Sequence, residues 1–141
     1  MADDRSPAPT QVRPEDILYG KLNPEHWDPE TGKVRPEAFR DKYESQSFYA
    51  ARLVSGEDVL RQFAEFPFAK KLCGKSHPTA HDLYEKGYGI ANVRATIPIG
   101  LELVISEIKA DGHVNVTAAR DHAIDFAEAL VALSQDEIFG R

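Results

Sequence analysis

Five polar side chains have the chemistry to hold a small anion: His26, Arg40, Arg52, Arg94 and His113. A guanidinium beside apolar neighbours suits a phosphate or carboxylate, because its planar fork donates two parallel hydrogen bonds. Arg52 and Arg94 fall in stretches that alternate apolar and polar residues, so a sheet face would carry them. Arg35 is a further member of such a clamp, although arginines at these spacings more often face solvent. His26 sits next to the single tryptophan, Trp27, among Glu25, Asp28 and Glu30. As a ligand-facing imidazole it would belong to the anion site. The competing reading, which we favour, is that Trp27 lays its ring on the core, donates its indole N–H to a backbone carbonyl and pins the loop.

Other constellations carry less. His77 and His81 stand four apart in HPTAH, a spacing that chelates a metal on one helix face, with Asp82 or Glu85 as a further ligand. Pro78 sets His77 at or before the helix cap, however, so a shared face is not expected and no metal is assigned. Cys73 is the single cysteine, which precludes an intrachain disulfide and fits a reducing cytosol. The nearby Lys70, Lys71 and Lys75 would suit a reactive thiolate, but a small packed residue near a helix end is the commoner role. His122 is expected to hydrogen-bond locally at the start of the last helix. There is no G-x-S-x-G, no phosphate-binding glycine loop and no paired cysteines. No catalytic residue or cofactor is assigned.

A different chemistry comes from FAEFPFAKKLCG, which sets Phe63, Phe66 and Phe68 around Pro67. Phe63 is expected in the core. Phe66 and Phe68 straddle a helix break, where partial exposure would make them interface anchors. Alternatively both complete the core, and replacing them by alanine would then unfold the chain. Trp27, Phe66 and Phe68 are the partner-binding candidates.

These residues need elements to position them. A strand is expected from Ile17 to Leu22. The stretch LNPEHWDPETGKVRPEAFRD follows, with turn chemistry at residues 28–32 and a short helical start at Pro36. Residues 47–54 read as a strand. A helix then opens at Ser55, with Asp58 completing a capping box, and stops before Pro67. A helical turn at 68–72 ends at Gly74, and a short helix at 78–86 ends at Gly87. Strands are expected at 88–97, 101–109 and 113–117, the last two joined by an Asp-Gly hairpin turn. The longest helix is expected at 121–135. Hairpins mixed with helices give an α+β class: a small, largely antiparallel sheet with helices packed on one face. Residues 1–15, polar with three prolines, read as a disordered tail, and residues 16–141 as one domain.

The charge balance narrows the partners. With 17 basic and 23 acidic residues the net charge is -6, which disfavours nucleic acid and an anionic membrane surface. The longest apolar run, ATIPIGLELVIS, is interrupted by Pro98, Gly100 and Glu102 and is too short for a membrane span. The N-terminal residues lack the apolar core of a signal peptide.

ILYGKLNPEHW, RPEAFRD and SFYAARLV, and more thinly GYGIANVRATIPIGLELVI and the final helix, together resemble a group of short, functionally uncharacterised bacterial proteins. These begin with a strand, a His-Pro or Pro-x-His segment, and an Arg-Pro loop leading to Ala-Phe. The resemblance spans most of residues 16–133. It implies a bacterial origin and a compact domain in which the opening loop, anchored by Trp27 and Phe39, belongs to the fold. It implies no activity. From the missing catalytic motifs, the acidic balance and the phenylalanines around Pro67, the expectation is a cytoplasmic accessory or regulatory subunit that binds a protein partner. The alternative is an enzyme or sensor for a small anionic or nucleotide-like ligand, using the His/Arg set. The oligomeric state is open.

Overall fold

The computed structural model describes residues 10–28, 30–40 and 45–140. Among these, six strands form one antiparallel sheet: β1 (Ile17–Leu22), β2 (Ser45–Ala50), β3 (Gly89–Arg94), β4 (Val104–Ile105), β5 (His113–Thr117) and β6 (Val131–Ala132). The spatial order is β4-β5-β2-β1-β3-β6. The six α-helices are α1 (Gly56–Ala64), α2 (Pro67–Cys73), α3 (Ala80–Glu85), α4 (Thr96–Gly100), α5 (Ala123–Ala129) and α6 (Gln135–Phe139). The protein is an α+β domain with an antiparallel sheet, as the hairpin signals indicated.

Register decides which side chains share a face. Leu18 stands opposite Ala50 and Val93, and Phe48 opposite Val114. Together with Leu22, Ala91 and Val116 they make one buried face. Over it lie Phe39 and Phe126, whose rings sit 5.2 Å apart and both contact Phe48. The other face carries Tyr19, Tyr49 and Ile90, packed under Val59 and Leu60 of α1, Ala80 of α3 and Ile138 of α6. Helices thus cover both faces, where one had been expected. The reason is that Tyr19, Tyr49 and Ile90 alternate with an equally apolar inward set, so neither face can stay in water.

Several boundaries differ from the sequence reading. β2 stops at Ala50, and residues 51–53 turn, so Arg52 lies beyond the strand. The apolar 101–109 run is mostly not a strand. Pro98 falls inside α4, the chain reverses at Glu102 with φ 59°, and only Val104 and Ile105 form a strand. Ile97, Leu101 and Leu103 instead close one end of the core. The expected 121–135 helix breaks at Leu130, whose ψ of 151° is extended. Val131 and Ala132 pair with β3, and Leu133 N donates to Ile90 O at 2.8 Å, so the outer backbone of β3 gains partners. Ser134 then caps α6 in a capping box with Glu137.

The opening stretch is ordered where it is described. Trp27 bridges Val34, Gly32 N donates to Asp28 O at 2.7 Å, and Gly32 takes a φ of 71°. Pro36–Phe39 is a 3-10 turn that buries Phe39. The tail boundary moves as well. Ile108 N donates to Thr10 O, Arg13 N donates to the Asp16 carboxylate at 2.8 Å, and Val12 packs on the core. Residues 10–15 are therefore tied to the domain, and residues 1–9 of the expected tail lie outside the described residues.

Candidate functional site

Pro67 creates an exposed aromatic surface. It lacks the N–H that a continuing helix needs, and it forces the preceding residue toward extended geometry. Phe66 accordingly has φ -80° and ψ 149°, and Pro67 becomes the first residue of α2. The chain steps sideways between α1 and α2, and this turns two phenylalanines outward. Phe66 is 48% exposed and Phe68 39%, with Leu72, one helical turn after Phe68, at 42%. Ala69 and Cys73 form the opposite, packed side of α2, against Ala64 and Leu83. Cys73 thus takes the packing role expected of it.

The exposed rings continue an aromatic ladder that begins in the core. Tyr49 contacts Phe63 at 6.3 Å between centroids. Phe63 then contacts Phe66 at 5.6 Å, Phe66 contacts Phe68 at 6.0 Å, and Phe68 contacts Tyr88 at 6.1 Å. Edge-on and tilted contacts of this kind hold rings in place without burying them fully. Between Phe68 and Tyr88 opens a cleft of about 530 Å³ lined by Phe68, Lys71, Leu72 and Tyr88. Lys21 reaches into the same ladder from β1. Its Nζ lies 4.0 Å from the Phe63 centroid, 5.5 Å from Phe68 and 5.7 Å from Tyr88. Burial lowers the Lys21 pKa, and Glu25 opposes that shift. The negative ring faces offset part of the desolvation of the ammonium.

Trp27 does what the favoured reading asked. Its Nε1 donates to Gly87 O at 2.7 Å, and its ring packs on the core and faces Tyr84 at 6.5 Å. Gly87 needs its φ of 99° to present that carbonyl.

The five anion-site candidates are spread over several elements. His26 sits past the Leu22 end of β1, where its Nδ1 accepts from Asn23 N at 3.3 Å. Arg40 is exposed and pairs with Glu37 at 3.9 Å. Arg52 pairs with Asp16 at 3.6 Å and donates to Gln11 O. Arg94 stands opposite Ile17, at the same end of the sheet as Arg52. His113 lies on β5 across from Tyr49; its Nε2 is 2.9 Å from Ser47 Oγ, and its ring is 5.4 Å from Tyr49. Burial lowers the His113 pKa, Lys109 adds to that, and Asp111 opposes it. Arg52 and Arg94 are thus brought to one end of the sheet. The clefts beside Asp58 and Arg61, beside Lys33 and Ile124, beside Thr117 and Arg120, and between Phe68 and Tyr88 are lined by other residues than these five.

His77 precedes the Thr79 cap of α3, while His81 lies within the helix facing Glu85 and Gln135. The two do not share a helix face. His122 contacts Asp125 at 3.3 Å, the local partner expected of it. Among the described residues no helix is long and apolar enough to cross a membrane.

Lys21, Leu72 and Tyr88 were not singled out from the sequence. Leu72 carried a signal, because a residue four after Phe68 lies on the same helical face. Lys21 carried a weaker one: it shares a strand face with Tyr19, but only tertiary packing brings α1 and α2 over it. No family model, curated protein or solved structure matches this chain.

Proposed function

We propose that this protein works by binding: it is an accessory or regulatory subunit that docks a protein partner on the Phe66–Phe68–Leu72 ridge. The observation that carries the reading is the continuous exposure of three large apolar side chains beside a cleft. Aromatic anchors held by neighbouring rings lose little side-chain entropy on binding, so their burial contributes nearly in full. A cytoplasmic setting is part of the proposal and rests on the single unpaired cysteine. The enzyme or sensor alternative draws less support, because Arg40 is engaged by Glu37, Arg52 by Asp16 and His113 by Ser47, on separate elements.

The test is affinity purification from the native host with the wild-type chain and a Phe66→Ser/Phe68→Ser variant. The expected result is a stoichiometric protein partner with the wild type, lost with the variant, while the variant keeps a cooperative thermal melt. A wild-type chain that elutes alone, or a partner retained by the folded variant, refutes the reading.

A further inference from the structure

We propose that the occupant of the Phe68–Tyr88 cleft is an acidic, apolar peptide segment: large apolar side chains flanked by Asp or Glu. This rests on the interaction reading above and adds the chemistry of the partner. The argument is charge complementarity. Residues 66–75 hold three lysines and no acidic residue, in a chain whose net charge is -6. Lys75 is already paired with Asp82 at 2.8 Å. Lys70 and Lys71 are exposed in the last turn of α2, and among the described residues neither has an ion-pair partner.

Position makes these charges relevant to the cleft. Lys71 lies three residues after Phe68 and next to Leu72, and it lines the cleft with both. Residues three and four apart share a helix face, so the ammonium stands at the rim of the apolar surface. Lys21 adds a cation among the rings, offset by Glu25. Glu65 ends α1 just before the ridge and is the nearest acidic residue in the chain to Phe66. A segment that seats apolar side chains between Phe68 and Tyr88 brings a flank to Lys71 at the cleft rim, while Lys70, two residues from both Phe68 and Leu72, adds only to the positive field at this end of α2. Carboxylates there are attracted, whereas lysines or arginines meet like charge. An anionic lipid surface shares the same chemistry in part. It is disfavoured because α2 has only seven residues and the remainder of the chain is strongly acidic.

The probe is a random peptide library displayed on phage and selected against the full chain. Counter-selection uses the Phe66→Ser/Phe68→Ser variant, so that only ridge binders survive. The expected winners carry net negative charge and at least two large apolar residues. A synthesised winner should lose about 10-fold or more in affinity against Lys70→Glu/Lys71→Glu, and should weaken as salt is raised. If that double variant melts early, Lys70→Ala/Lys71→Ala takes its place, with a smaller loss expected. Neutral or basic winners, or winners indifferent to both lysine variants, overturn the acidic assignment and leave the ridge as a docking surface. An absence of ridge-dependent winners overturns the assignment and also counts against the docking reading. Ridge-dependent flotation with phosphatidylserine–phosphatidylcholine vesicles, without peptide winners, replaces the peptide by a membrane. Self-association through the ridge in sedimentation velocity replaces it by a second copy.

Discussion

Asp82 shows how one residue serves two structures at once. Its carboxylate accepts from Thr79 N at 2.8 Å, closing the capping box of α3, and from Lys75 Nζ at 2.8 Å, tying the α2–α3 connection to that cap. The Lys75 hydrogen bond and then the Thr79 backbone N–H hold its pKa down at about 2, against 3.8 unperturbed. A carboxyl whose folded pKa is depressed stabilises the fold above the unfolded value and loses that contribution as pH falls through the folded one. The cap and the Lys75 pair should therefore be intact above pH 3.8 and fade toward about 2. Carboxyl carbon NMR of Asp82 across this range checks it: a midpoint near the unperturbed value in wild type, or one unmoved by Lys75→Met, is incompatible with the assigned partners. The Thr79-x-x-Asp82 pattern was present in the sequence, as was Ser134-x-x-Glu137, since a capping box is local and needs four residues only. Lys75 as the partner of Asp82 was not legible, because its position depends on where Gly74, with φ 64°, redirects the chain.

Among the elements, the 23–40 segment owes its order to a contact across 60 residues, from Trp27 to Gly87. Gly87 is the vulnerable end. At its φ of 99° a side chain is strained, and an added Cβ would lie 3.0 Å from Pro24 Cβ. Gly87→Ala should cost about 1–3 kcal/mol, from backbone strain and displacement of Pro24. Urea unfolding followed by the fluorescence of the single tryptophan measures this directly, because Trp27 reports on the segment that moves. An unchanged midpoint would mean that the turn relaxes freely and does not hold Trp27. The same scale explains the two misread elements. Residues 101–109 are apolar enough for a strand, and residues 121–135 periodic enough for one helix. In the first a local turn won, with Leu103 N bonded to Pro98 O; in the second a contact with distant backbone did, with Leu133 N bonded to Ile90 O. Hydrophobic pattern says that a residue is buried, and the partner strand decides the backbone that buries it.

For the molecule as a whole, the aromatic side chains divide into two populations with different jobs. Phe39, Phe48 and Phe126 are at most 2% exposed and form one stacked cluster on the inner sheet face. Phe66 and Phe68 keep 48% and 39% of their surface in water. Phe126→Ala should cost about 3–5 kcal/mol through lost burial and the cavity left behind. Phe66→Ala/Phe68→Ala should lower the melting temperature by only a few degrees, since about 1 kcal/mol shifts a domain of this size by roughly 2–4 °C. Differential scanning calorimetry of the two variants separates the populations. Equal collapse of both would place the ridge in the core and remove it as a docking surface.

The sequence by itself determined what is local. Turn residues, helix caps and the break at Pro67 are set by neighbours within four positions, and the alternation in β1, β3 and β5 follows from the pleat. Those patterns were enough for the α+β class, the Asp-Gly hairpin and the helix break between Phe66 and Phe68, while the exposure of the two rings was left open between a ridge and the core. Only the tertiary structure decided that helices cover both faces of the sheet, that β6 lines the edge of β3, and that Lys21 lies among three rings. It also decided that the His/Arg set is spread over several elements. Each of these depends on which distant segments meet, and that is settled by the summed burial and hydrogen bonding of the whole chain.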